Sequence, residues 1–183
     1  MNKLNSPAPL GRIASLHLHP REGGEPFQNV ASVEVETGKG IVGNPRYFSR
    51  RSPSGGLSKR QVSLIEREQI SEHASALGLE TISPGLVRSN IETTGVNLSS
   101  LIGQKIQVGE AVLFLYEARK PCSKMEAICA GLRKLMEENR QGVLAQVVQS
   151  GRIYVGDTIR IAKEIASAQL PQNETFGGGV KRA

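Results

Sequence analysis

One phrase occurs twice in the chain and limits what it can fold into. Residues 103–112 read Gly-Gln-Lys-Ile-Gln-Val-Gly-Glu-Ala-Val, and residues 151–161 read Gly-Arg-Ile-Tyr-Val-Gly-Asp-Thr-Ile-Arg-Ile. Each alternates apolar and polar residues, breaks at Val-Gly-acid, and resumes. Alternation with period two puts successive side chains on opposite faces of a strand. Glycine beside an acid supplies the tight turn between two strands. Strands joined this way build small closed barrels, which leave no open sheet edge. The phrase is one supersecondary device used twice, not a tandem repeat.

Other segments carry the same period. Residues 13–19 alternate up to Pro20, and residues 30–36 set Val33 and Val35 against Glu34 and Glu36. Residues 61–65 and 89–95 add two more strands, bounded by turn residues. Helical spacing appears in two places: residues 66–78, with Ile70, Ala74 and Leu77 on one face, and residues 124–138. At least seven strands and two helices, without regular βαβ alternation, predict a mainly β barrel with two or more helical insertions. Residues 11–163 form the expected domain. Residues 1–10 form a loose lead-in, and the polar tail 164–183 is expected to be disordered.

Composition narrows the function. The 183 residues carry 23 Lys plus Arg against 17 Asp plus Glu, a net charge of +6, which favours anionic ligands. Aromatic residues make up 4% and Trp is absent, which argues against base stacking and so against nucleic acid. No apolar run approaches the roughly 20 residues of a membrane span. Two cysteines and the lack of a secretory h-region lead to the expectation of a cytoplasmic protein. Residues 43–59 form a long Gly-, Pro-, Ser- and Arg-rich segment. With Arg46, Arg50, Arg51 and Lys59, followed by Arg60, it reads as a basic flap over an anion site.

The richest stretch is Arg119-Lys120-Pro121-Cys122-Ser123-Lys124-Met125-Glu126. Ser123 followed by Glu126 predicts a capping box and a helix running to about residue 138. Cys129 then falls on the apolar stripe as a small buried hydrophobe, while Cys122 precedes the helix. There the helix dipole, Arg119, Lys120 and Lys124 favour its thiolate. Two helical turns, roughly 10 Å, separate the sulfurs too far for a disulfide. His17 and His19 share a strand face and His73 is expected to be solvated; none forms an evident base for a cysteine hydrolase.

In chain order, Gly40-Ile41-Val42-Gly43, Arg60-Gln61-Val62-Ser63-Leu64-Ile65, Pro84-Gly85 through Arg88-Ser89-Asn90-Ile91, Arg119-Lys120-Pro121-Cys122 and Arg140-Gln141-Gly142 resemble the motifs of the MOSC domain family. The resemblance implies a barrel like that of the pyruvate-kinase barrel domain and an exposed cysteine. It implies Cys122 as the catalytic group, either a persulfide carrier or a metal ligand to molybdenum. It implies Arg60, Asn90, Arg119, Lys120 and Arg140 as cofactor-binding residues around the molybdenum cofactor (molybdopterin). A cysteine desulfurase or a molybdoenzyme is the implied partner, with activity as a sulfurtransferase or a molybdenum-dependent oxidoreductase component. A pyridoxal phosphate domain is not expected in a chain of this length. Where many members have Gly-Asp and a nearby His, this chain has Gly43-Asn44-Pro45-Arg46. The alternative is a barrel that holds an anion or phosphate without turnover; a nucleic-acid-binding barrel ranks below it.

Overall fold

The computed structural model describes residues 8–23 and 25–162. The tail 164–183 and most of the lead-in lie outside them. Among the described residues there are eleven strands: β1 (Gly11–Leu18), β2 (Gln28–Val30), β3 (Ser32–Glu36), β4 (Gly40–Ile41), β5 (Val62–Glu66), β6 (Ile91–Thr94), β7 (Lys105–Val108), β8 (Ala111–Ala118), β9 (Val143–Gln149), β10 (Gly151–Tyr154) and β11 (Thr158–Ile161). The helices are α1 (Arg67–Ala76), α2 (Ser123–Ile128) and α3 (Leu132–Leu135).

The larger sheet runs β11-β7-β8-β9-β5-β6-β1-β2, and an extra pairing of β11 with β1 closes it into a seven-stranded barrel with β2 appended. Every ladder is antiparallel except β5–β6, which is joined through α1. A separate three-stranded sheet, β10-β3-β4, lies beside it. Ile13, Leu16, Leu64, Ile91, Ile106, Leu113, Leu115 and Ile159 fill the main core. A second core packs α1 against α2 and α3 through Ile70, Ala74, Met125, Leu132 and Met136.

The repeated phrase is used in two ways. At Gly109-Glu110 it forms a hairpin, with Val108 opposite Ala111. At Val155-Gly156-Asp157 it switches sheets: β10 pairs with β3, whereas β11 pairs with β7 and β1. The predicted strand over 30–36 is interrupted at Ala31, so β2 joins the barrel and β3 the small sheet.

The predicted helix 124–138 is broken. Cys129 is already extended, and Gly131 takes the left-handed φ of 85° before α3 begins. The apolar spacing survives the break because both pieces face the second core. The capping box does not form. Cys122 occupies the N-cap and makes no side-chain cap bond, while Glu126 accepts a hydrogen bond from the Gly131 amide at 2.8 Å. A six-residue helix also gives the cysteine little dipole. His73, expected in solvent, is buried, and its Nε2 donates to the Arg140 carbonyl at 2.9 Å.

Candidate functional site

At the ends of β1, β5 and β8 lies a cavity of about 220 Å³. Its wall carries Arg46, Arg60, Arg88, Arg119 and Lys124 together with the exposed Cys122 and, among the described residues, no carboxylate. Such a wall repels itself unless something offsets the charge. Part of the offset is an aromatic stack. Arg88 lies over Phe27 at 4.8 Å, Phe27 against His19 at 4.3 Å, His19 against Tyr47 at 4.7 Å, and Arg60 over Tyr47 at 5.3 Å. The negative ring faces attract each guanidinium by about 0.5–1 kcal/mol. The stack also fixes where the two arginines stand. Arg88 is held further by its own backbone, in the left-handed region at φ 62°, an uncommon state for a residue with a Cβ.

Arg119 is the deepest cation. It follows β8 and is 6% exposed. Its amide donates to the Gly142 carbonyl at 2.9 Å and its Nη1 to the Val87 carbonyl at 3.4 Å, but its buried Nε has no partner among the described residues. Burial first, then the neighbouring Arg60, lowers its pKa to about 10. Burial and Arg46 likewise lower that of Arg88. A buried charged group with an unpaired donor is costly to keep.

His19 is held neutral in the middle of the stack. Its backbone amide donates to Asn44 Oδ1 at 3.2 Å, which identifies that atom as an acceptor. His19 Nδ1, 3.0 Å from the same oxygen, therefore carries its hydrogen. Nε2 is left with a lone pair on a ring that lines the cavity. Burial, with Arg88, Arg119 and Arg46 adding to it, lowers the His19 pKa to about 3 despite the Asn44 bond.

The structure brings Cys122, Arg60, Asn90 and Arg119 to this one cavity. Asn90 is occupied: its Nδ2 donates to the His17 carbonyl, and its Oδ1 accepts from the Ser63 amide and hydroxyl. It therefore pins β1 to β5 at the cavity floor. Gln61 does the same for the flap, donating to the Gly38 and Ser58 carbonyls and accepting from the Val147 amide. Two residues of the expected cofactor-binding set stand outside this cavity. Arg140 lies apart, donating to Glu72 at 2.7 Å. Lys120 lines a different cavity with Arg119, Arg133 and Glu137. The Arg140-Gln141-Gly142 phrase has a packing reason instead: any Cβ on Gly142 would collide with the Leu64 carbonyl and with Ile65.

Of the basic flap, Arg46, Tyr47 and Arg60 reach the cavity; Arg50 packs over Tyr47, and Arg51 donates to the Gly55 carbonyl. Sequence reasoning missed His19, Tyr47 and Arg88 as wall residues. Arg88 stood two positions before Asn90 in a quoted motif, and His19 two positions after His17; only the fold puts them together. Among the described residues no three His, Cys, Asp or Glu side chains gather as a metal cluster. The His17 and His19 rings are tied to separate partners, Asn29 and Asn44.

The molecule is thus a closed β-barrel that carries an exposed cysteine in a cationic cavity at one end. The family model of the MOSC domain matches residues 23–160, and the chain belongs to that family. Its fold is similar to that of the YuaD protein of Bacillus subtilis, with a TM-score of 0.69 at 19% identity over 81% of this chain and 93% of that one. It is also similar to YiiM from Geobacillus stearothermophilus, with a TM-score of 0.60 at 17% identity over 87% and 76%. YiiM from Escherichia coli gives 0.60 at 18% identity over 84% and 71%. No curated protein matches the chain in sequence. No helix among the described residues is long and apolar enough to cross a membrane.

Proposed function

We propose that the protein binds the molybdenum cofactor, or a closely related anionic metal cofactor, with Cys122 as its thiolate ligand. The observation that carries this reading is Arg119: a buried guanidinium with an unpaired Nε, in a carboxylate-free wall beside an exposed thiol. That donor set fits the group. Arg119, Arg60 and Arg88 would hold its phosphate by charge-assisted hydrogen bonds, and the soft sulfur of Cys122 would take its metal. When bound, the cofactor supplies two-electron redox chemistry at the metal. The chain's own residues place the anion, keep His19 neutral beside it, and fix the arginines through the aromatic stack. Among the described residues no second metal-ligating side chain gathers beside Cys122, so the cofactor's own sulfurs would supply the other donors.

Sulfur carriage is the second reading, favoured by the exposure of Cys122. The thiolate attacks the outer sulfur of a donor persulfide, forms Cys122–S–S⁻ and releases the donor thiolate. A cysteine desulfurase is then the donor and a molybdoenzyme the acceptor. Both readings suit a reducing cytoplasm, where Cys122 and Cys129 stay free thiols. The test compares wild type with Cys122→Ser after incubation with molybdenum cofactor and, separately, with a desulfurase. Metal content and persulfide mass are the readouts. Loss of metal in the variant supports the first reading and loss of the persulfide adduct alone the second. A variant equal to wild type in both leaves an anion-binding module without turnover.

A further inference from the structure

A second, larger cavity of about 550 Å³ lies against the first. The two share Arg88 and Lys124, so these cations form a party wall. Beyond it the chemistry changes. Pro26, Phe27, Pro84, Leu86, Ala127 and Ile128 give a mainly apolar trough, whose lining also includes Glu25, Asn29 and Ser83. Leu86 is 43% exposed, so its side chain is open to a ligand in the trough. Phe27 belongs to both regions: one face carries the Arg88 guanidinium, and the ring packs on His19.

We infer that the two cavities are one bipartite site, taking an organic anion whose charged group enters the cationic cavity and whose flat apolar body lies in the trough. The argument is one of complementarity. Five cations without a carboxylate demand an anionic group. A bare inorganic anion would leave the trough, open beside it, filled with water against apolar walls. A wholly apolar ligand would leave the buried Nε of Arg119 without a partner. Only a molecule with both parts satisfies both walls across Arg88 and Lys124. The inference rests on the anion-site reading and extends it, naming the class of compound presented to Cys122.

Calorimetric titration of the purified full-length protein with methyl phosphate and with 1-naphthyl phosphate tests it. The headgroups match and only the body differs. We expect the naphthyl ester to bind roughly tenfold more tightly, from burial of one to two apolar rings. Ala127→Trp fills the trough from an exposed helix position. It should bring the two esters to within about twofold while methyl phosphate affinity stays constant, and an unchanged thermal midpoint confirms its fold. Equal affinities in wild type overturn the bipartite site and leave the anion cavity standing. An advantage that survives Ala127→Trp also overturns it, since the body then binds elsewhere. If neither ester binds, the anion-site reading fails with it.

Discussion

Two buried charges in this molecule are treated in opposite ways. Glu92, on β6, has a fully buried side chain, and every part of its carboxylate is used. One oxygen accepts from the Gly85 amide at 2.7 Å. The other accepts from the Ser15 hydroxyl and from Arg67, each at 3.1 Å. His17 Nε2 stands 3.6 Å away. Arg119 is buried almost as deeply, yet its Nε has no partner and its neighbours share its sign. The first arrangement holds strands together. The second keeps unmet demand at a cavity, as binding sites do at the expense of stability.

The largest effect should come from breaking the satisfied side. Glu92→Ala strands Arg67, Ser15 and the Gly85 amide in the interior. We expect a loss of about 3–5 kcal/mol of stability in urea unfolding. A loss under about 1 kcal/mol would show that Glu92 holds nothing together.

Arg119→Met tests the other side. Removing an unpaired buried cation should leave the thermal midpoint of the ligand-free protein unchanged, or raise it by roughly 2–4 °C. Phosphate-ester affinity should fall about thirtyfold, the result of losing a buried charge-assisted contact. A variant that unfolds readily while still binding esters would make Arg119 structural, and the contrast would disappear.

Acid should reveal the histidines between these extremes. Burial keeps His17, His19 and His73 below their ordinary pKa. The unfolded chain therefore binds more protons below about pH 6.5, so the stability they contribute is complete above that pH and declines as it falls. For His19 the decline continues to its folded pKa of about 3. Urea midpoints should drop steadily from pH 7 to pH 4, and a flat profile would contradict neutral burial. Asn44→Asp puts a carboxylate at the atom His19 donates to. The ring's proton NMR titration should move upward relative to wild type; no movement would dissociate Asn44 from His19's charge state.

The smallest expected difference separates the cysteines. Cys122 is exposed, and Cys129 is half-buried against the second core. Brief iodoacetamide treatment should alkylate Cys122 first, as read from tryptic peptide masses, and equal rates would remove the distinction.

How far the sequence reached depended on whether a signal was local. Alternation and glycine turns are local, and they yielded the barrel and the positions of β5, α1, β7 and β8. The Arg-Gln-Val and Arg-x-Pro-Cys phrases brought Arg60, Arg119 and Cys122 to one cavity. The helix break at Cys129-Ala130-Gly131 stayed hidden because apolar spacing continued across it. The sheet switch at residues 155–157 stayed hidden because its residues match those of a hairpin; the partner strand β3, far away in sequence, decides the difference. His73 and Arg140 were misplaced for the same reason. One carbonyl contact between distant segments buries the first, and the Glu72 pair draws the second away from the cavity.

The pairing of β1 with β11 has a consequence for how the protein is made. The first barrel strand finds its closing neighbour only at the last, with Gly11 opposite Ile159. A chain emerging from a ribosome can form the β7–β8 hairpin and the β5-α1-β6 unit early, because their contacts are local. It cannot close the barrel until nearly every described residue is outside the exit tunnel. Until then β1 and β7 each present an unpaired edge. Closure over so long a loop is slow, and the interval is when chaperone capture or edge-to-edge misassembly has its opportunity.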